Sequence, residues 1–249
     1  MTDPVLVVNP DGKAPVVLVC EHASPVIPSE LARMGLSAQA ALSHIAWDPG
    51  AMAVAEQLSA MLDAPLVAGT LSRLLYDCNR PPEAPDAIPT RSEIYDIPRN
   101  ASLSASARTA RIRSIYEPFS EKLEATIKRR MGTRPPALVT IHSFTPVYMG
   151  KIRKLEIGIL NDEDTRLADA LLAAAVHHPG LRFRRNEPYG PGDGVTHTLK
   201  RHGLQNGLPN AMIEIRNDLI ATAPQQQGMA RLLQDLLHAA LPRVQAGVA

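Results

Sequence analysis

Four apolar runs in this chain lead into reactive side chains. "VVLVC" (Val16–Cys20) drops into Glu21 and His22, and "PLVAGTLSRLLY" into Asp77, Asn79 and Arg80. "PALVTI" leads into His142 and Ser143, and "NAMI" into Glu214 and Arg216. A short run that is apolar at every position reads as a strand covered on both faces, which is the signature of a sheet sandwiched between helices. In such sheets ligands bind beyond the carboxyl ends of the strands. A buried polar group costs free energy unless it is paired. Polar residues recurring at several strand ends therefore point to one shared rim that carries chemistry.

The segments between the runs have helical spacing. "DPGAMAVAEQLSAMLDA" places Pro49 in a first turn behind Asp48, an arrangement that suits an Asp cap. Residues 102–130 predict a long helix bent at Pro118. Residues 162–178 open with acids, as the helix dipole prefers, and residues 224–244 predict a closing amphipathic helix. "KLEIGILN" adds another buried strand, and "LRFRRN" a short one ahead of a Gly/Pro loop. Residues 81–100 hold five prolines and little periodicity, so they predict a long loop, and such loops are usually functional lids or disordered. Strand and helix alternate, which gives an α/β class with a mixed, largely parallel sheet flanked by helices. No repeat or break in composition divides the chain, so residues 1–249 are expected to form one domain.

Composition excludes several partners. Lys and Arg number 26 against 25 Asp and Glu, a formal net charge of +1, so nothing draws the chain to nucleic acid or an anionic membrane. The densest basic stretch, "IKRRMGTR", fits the C-terminal end of a helix. Two cysteines, Cys20 and Cys78, are too few for a disulfide framework, and both sit in apolar runs. No signal segment or membrane-length apolar run stands out. The expectation is a soluble, cytoplasmic protein with reduced thiols, and the sequence leaves its oligomeric state open.

Two histidines and a carboxylate make a common catalytic zinc set that leaves a position open for water. His22 and His142 are the histidines placed directly at buried strand ends. His177 and His178 suit a helix end, and His238 lies in the closing helix. His197 and His202 flank the Gly-rich loop and could touch substrate, and His44 is a local alternative ligand near Asp48. No H-E-x-x-H motif is present, so the carboxylate must come from elsewhere. Spacing leaves Asp48 open between a helix cap and a metal ligand. Glu21 neighbours His22 and, on a continuing strand, points to the opposite face. A ligand role for it stays open if the strand has already ended. A serine hydrolase fits poorly, because neither Ser24 nor Ser143 sits in a G-x-S-x-G elbow.

The segments "CEHASPVIP", "AWDPGA", "SRLLYDCNRPP", "TIHSFTP" and "MIEIRNDL", in this order from residue 20 to about residue 219, resemble the N-formylglutamate amidohydrolase family. That family is related to the zinc carboxypeptidases. The resemblance implies a zinc carboxypeptidase-like (phosphorylase/hydrolase-like) fold and one zinc ion on His22, Asp48 and His142. It implies Glu214 as the catalytic base. Asn79 and Arg80 would hold a substrate carboxylate or the oxyanion, making Arg80 catalytic as well. Arg216 would bind substrate or position Glu214, while Ser143, Arg73, Arg99 and the "GPGDG" loop would complete the pocket. The implied reaction is hydrolysis of a small N-acyl amino acid, N-formyl-L-glutamate giving L-glutamate and formate, in histidine degradation. Pro25 departs from the Asn usual after "EHAS", and the better-characterised enzymes carry a "PHSG"-like segment there, which bears on substrate more than on metal. The rival readings are a peptidase or amidase for another N-acyl compound, and a non-catalytic binding protein on the same scaffold.

Overall fold

The computed structural model describes residues 3–132 and 135–245. Among these the strands are β1 (Val5–Val8), β2 (Val16–Cys20), β3 (Leu66–Gly69), β4 (Arg91–Ser92), β5 (Tyr95–Asp96), β6 (Ala137–Phe144), β7 (Val147–Tyr148), β8 (Lys151–Ile152), β9 (Ile157–Leu160), β10 (Phe183–Arg185) and β11 (Asn210–Arg216). The α-helices are α1 (Ala38–Ala41), α2 (Ala51–Leu62), α3 (Pro98–Ala101), α4 (Ala105–Arg111), α5 (Glu117–Met131), α6 (Arg166–Ala175) and α7 (Ala223–Gln245).

Seven strands form the central sheet in the order β1-β3-β2-β6-β11-β9-β10. β3, β2, β6 and β11 run parallel; β9 is antiparallel to β11, and β10 is parallel to β9. β1 adds an antiparallel edge beside β3. This is the mixed, mostly parallel α/β sheet expected from the alternation of elements. The reason is visible along β2. Val16, Leu18 and Cys20 pack under α2 and α7, and Val17 and Val19 face the opposite layer, which contains α5. A strand buried on both faces needs apolar residues at every position, hence the uninterrupted run.

Three local expectations change. The predicted long helix is two helices joined by a π-turn at residues 112–116, just ahead of Pro118. Proline lacks the N–H and crowds the preceding turn, and the wider turn relieves that conflict. The segment carrying Asp77, Asn79 and Arg80 is not a strand end. β3 stops at Gly69, and residues 71–80 follow as turns. The proline-rich segment 81–100 contains a small hairpin, β4–β5, and ends in α3. The basic stretch closes α5 with Lys128, Arg129 and Arg130, while Thr133 and Arg134 lie outside the described residues. β1 has no counterpart in the sequence reading. Among the described residues no helix is long and apolar enough to cross a membrane.

Two glycines place the polar rim. Gly50 opens α2 at φ 82, and a Cβ there would lie 2.4 Å from the Ile220 carbonyl oxygen. Only glycine meets both the left-handed backbone and the close approach, so Asp48 is delivered by a "DPG" turn. At Gly69 a Cβ would lie 2.3 Å from the Glu21 carbonyl oxygen, so the chain leaving β2 passes directly against β3.

Candidate metal centre and active site

Beyond the carboxyl ends of β2 and β6, His22, Asp48 and His142 converge. One potential ligand atom from each lies within 4.8 Å of the others, and all three residues are buried. His22 follows β2 directly. His142 is on β6, on the sheet face it shares with Leu138 rather than with Val139 and Ile141. Asp48 is tied to the first segment by its own N–H, which donates to the His22 carbonyl at 2.9 Å.

Asp48 does not cap its helix. Gly50 occupies the cap position, and no side chain bonds the first turn. Its Oδ2 instead lies 2.9 Å from His142 Nδ1 and 3.3 Å from His22 Nδ1, and accepts from the Ser143 N–H at 3.3 Å. Its Oδ1 accepts from Arg73 Nη1 at 3.0 Å.

Each imidazole has a second carboxylate on its far nitrogen. His22 Nε2 is 2.7 Å from Asp77 Oδ1, and His142 Nε2 is 3.0 Å from Glu21 Oε2, the latter off the line of an aligned hydrogen bond. Arg73 spans the cluster, with Nη1 on Asp48 and Nη2 on Asp77 Oδ2 at 3.2 Å. Carboxylates behind ligating histidines fix ring orientation and raise basicity.

The charges shift one another. Burial pulls both imidazoles toward the neutral form. The facing carboxylates overcome it, so His22 is raised and His142 well raised. Burial raises Asp48, Asp77 and Glu21, but the histidines opposite, with Arg73 beside the two aspartates, hold all three below the usual carboxylate range.

Glu214 behaves differently. It sits on β11 directly beside His142 in the parallel register, and opposite Gly158 of β9. It is 5% exposed, lines the same cleft, and its Oε2 has no hydrogen-bond partner among the described residues. Burial pushes its carboxyl up to about 7, against the opposing pull of His142. A carboxyl poised near neutrality, buried and unpaired, has the properties of a general base.

These groups share a cleft of about 380 Å³, walled also by Arg73, Asn79, Arg80, Phe144, Tyr148 and Tyr189. The sequence profile of the N-formylglutamate amidohydrolases matches residues 14–221, most of the chain. The chain belongs to that family. Membership makes it a hydrolase of the amidohydrolase type, acting on a small molecule. A crystal structure of a gene product from Agrobacterium tumefaciens is similar at 53% identity and a TM-score of 0.94, over 96% of this chain and 95% of that one. An N-formylglutamate amidohydrolase from Ralstonia eutropha JMP134 shares the fold, with a TM-score of 0.64 at 19% identity over 98% of both chains. No curated protein matches the chain.

Within this amidohydrolase fold the residues named from sequence have different fates. His22, Asp48, His142, Glu214, Arg73, Asn79, Arg80 and Ser143 all line the cleft. Arg216 does not. Its Nε binds Asp218 at 2.7 Å, and its Nη1 donates to the Arg153 and Leu155 carbonyls. It shares strand parity with Glu214, but β11 ends there and the side chain turns to the strand's own exit. Asn79 is committed at both ends of its amide, donating to the Val195 carbonyl at 2.6 Å and accepting from the Thr198 N–H at 3.0 Å. It anchors the loop opposite through one N–H and its oxygen.

Arg80 binds Asp86 through Nε and donates from Nη1 to the Asn79 and Gly194 carbonyls, which leaves Nη2 without a protein partner among the described residues. Ser143 donates its hydroxyl to the Pro49 carbonyl. Glu21 stands behind His142 and outside the converging set. His44 binds Glu93 at 2.9 Å instead of joining the cluster. His197 meets the Tyr116 hydroxyl and His202 the Ser120 hydroxyl, and neither lines the cleft. Arg99 also lies outside it, whereas Asp193 of the "GPGDG" loop reaches its wall.

The pairing of Asp77 with His22 was not legible. Asp77 was visible as a polar residue, but 55 residues separate it from its partner. Tyr189 and Glu93 carry no sequence motif at all.

Proposed function

We propose that the protein is a zinc-dependent amidohydrolase that cleaves an N-acyl amino acid, N-formyl-L-glutamate in the first place, to the free amino acid and formate. The observation that carries this reading is the convergence of two imidazole Nδ1 atoms on one Asp48 oxygen, beside a buried, unpaired Glu214. The donor set fits zinc: two neutral-capable imidazoles, a carboxylate, and a carboxylate behind each ring. Zinc held by His22, Asp48 and His142 supplies Lewis-acid polarisation of the scissile carbonyl and acidifies water.

The chain's own residues do the rest. Glu214 Oε2 accepts a proton from the water that attacks the acyl carbon. It returns that proton to the amide nitrogen as the C–N bond breaks, so formate and the amino acid leave with atoms balanced. Arg80 Nη2 donates to the oxygen that becomes negative in the tetrahedral stage. Arg73 keeps Asp48 and Asp77 ionised and in place, and Asp77 and Glu21 orient the two rings.

A second reading, an amidase for a different N-acyl amino acid, is favoured by the aromatic wall of Phe144, Tyr148 and Tyr189. The test is formate release from N-formyl-L-glutamate by metal-replete protein, alongside acetyl and peptide analogues. The hydrolase reading requires bound divalent metal and loss of turnover on chelation. Full activity after chelation, with no metal found, overturns it.

A further inference from the structure

The three arginines that line the cleft are each paired with an aspartate. Arg73 is held by Asp48 and Asp77, Arg80 by Asp86, and Arg91 by Asp96 at 3.6 Å. Arg153, immediately after β8, has no carboxylate partner among the described residues. Arg153 is not itself among the residues that line the cleft, but its guanidinium lies against three rings that are, 4.4 Å from the Tyr148 centroid, 4.9 Å from Tyr189 and 5.7 Å from Phe144. Its Nη1 donates to the Tyr189 hydroxyl at 2.9 Å, and among the described residues no bond to protein is made by Nε or Nη2. The residue is half-buried, and its N–H donates to the Pro146 carbonyl at 2.8 Å, which closes the small hairpin around it.

We propose that Arg153, with the Tyr189 hydroxyl, is the handle for a substrate carboxylate. The inference rests on the N-acyl amino acid reading above. Three rings flank the guanidinium and one of its nitrogens is taken by the Tyr189 hydroxyl, while a guanidinium's remaining N–H groups can meet a carboxylate in hydrogen bonds of matching geometry. An arginine in aromatic surroundings is poorly solvated, so an incoming anion gains more from it than from a surface arginine. Tyr189 links the handle to the chemistry. Burial first, and Glu214 second, raise its hydroxyl, while Arg153 opposes them, so the ring feels both groups. A substrate held here keeps its carboxylate at the aromatic wall and its acyl group toward Glu214. The carboxylate can be the α-carboxylate or one on the side chain.

The test separates the handle from the reaction. Binding of N-formyl-L-glutamate, and of its α- and γ-methyl esters, is measured by calorimetry on metal-loaded Glu214→Gln protein with and without Arg153→Met. The expected result is a Kd raised at least about tenfold by Arg153→Met, with partial recovery in Arg153→Lys. The ester lacking the recognised carboxylate binds both proteins alike, and so identifies which carboxylate is held. A merely structural Arg153 leaves this discrimination between acid and ester intact. Tyr189→Phe, which keeps the ring, gives a smaller loss and serves if Arg153→Met does not fold.

An unchanged Kd, or no binding to either protein, overturns the handle. Formate release by wild type is scored separately. If it persists while the Kd is insensitive to Arg153, the handle fails and the hydrolase reading stands. If wild type releases nothing while the Kd still depends on Arg153, the handle stands and the hydrolase reading fails.

Discussion

His22 Nε2 and Asp77 Oδ1 lie 2.7 Å apart, on the side of the imidazole away from Asp48. Asp77 also holds Arg73, whose other terminal nitrogen holds Asp48. One carboxylate thus fixes both a ring and, through a guanidinium, the acid that faces the ring. Replacing Asp77 with Asn keeps the shape and removes the charge. Metal affinity is expected to fall roughly 10- to 100-fold, read by competition with a chelator of known affinity. Unchanged affinity would show that Asp77 does not tune the site.

Glu214→Gln should lower kcat by about 10² to 10⁴ while metal content stays that of wild type. Because the carboxyl must be ionised to accept a proton, kcat/KM should rise with pH through an acid limb. The limb lies at or below the value of about 7 that burial gives the metal-free group, since a nearby cation pulls it down. Glu214→Gln should abolish that limb. A variant turning over at the wild-type rate removes Glu214 from the reaction.

Without metal, the cluster sets the pH dependence of stability. His22 and His142 are raised, so their contribution is complete below the unfolded histidine value of about 6.5. It is lost as pH climbs through their folded values. Glu214, raised to about 7, loses its contribution between the unfolded value of about 4.3 and 7. Asp48, Asp77 and Glu21 are lowered, so their contributions persist above about pH 4 and fail only on further acidification. Chelated protein should therefore melt at a higher temperature at pH 5 than at pH 8. Metal binding should strengthen over the same range, because the two Nδ1 atoms must first lose their protons. A chelated protein with the higher Tm at pH 8 contradicts this balance.

The buried strands, the alternation and the two rim histidines could be read from sequence because each is a local pattern with one physical cause, whereas Asp48 as their companion was implied only by the family resemblance. A continuous apolar run has to be buried on both faces, and a histidine at its end has to lie on the rim. Asp48 was ambiguous because "DPG" suits a helix start whether or not the acid caps it. Deciding required Gly50 in the cap position. Arg216 shares strand parity with Glu214 and pairs opposite Phe144 at the end of β11, but its guanidinium is drawn to Asp218 and to the Arg153 and Leu155 carbonyls, which parity alone does not reveal. Arg153 and Tyr189 meet across 36 residues, with neither in a motif, so only the folded hairpin brings them together.

The two small hairpins meet over the cleft through Glu93. This residue sits in the β4–β5 turn at φ 51, accepts from the Met149 N–H at 2.9 Å, and binds His44 Nε2 at 2.9 Å through its other oxygen. Met149 occupies the β7–β8 turn at φ 48. Two-residue strands are too short to hold such a hairpin in place by themselves, and this carboxylate ties the two tips directly. Glu93→Ala removes both bonds at once. The expected outcome is faster hydrogen exchange at the Met149 amide and in residues 91–96, with protection of the β6 and β11 amides unchanged. KM should rise more than kcat falls, because the change loosens the mouth and leaves Glu214 and the His22–Asp48–His142 set in place. Unaltered exchange at both tips would mean that the hairpins are held by something other than Glu93.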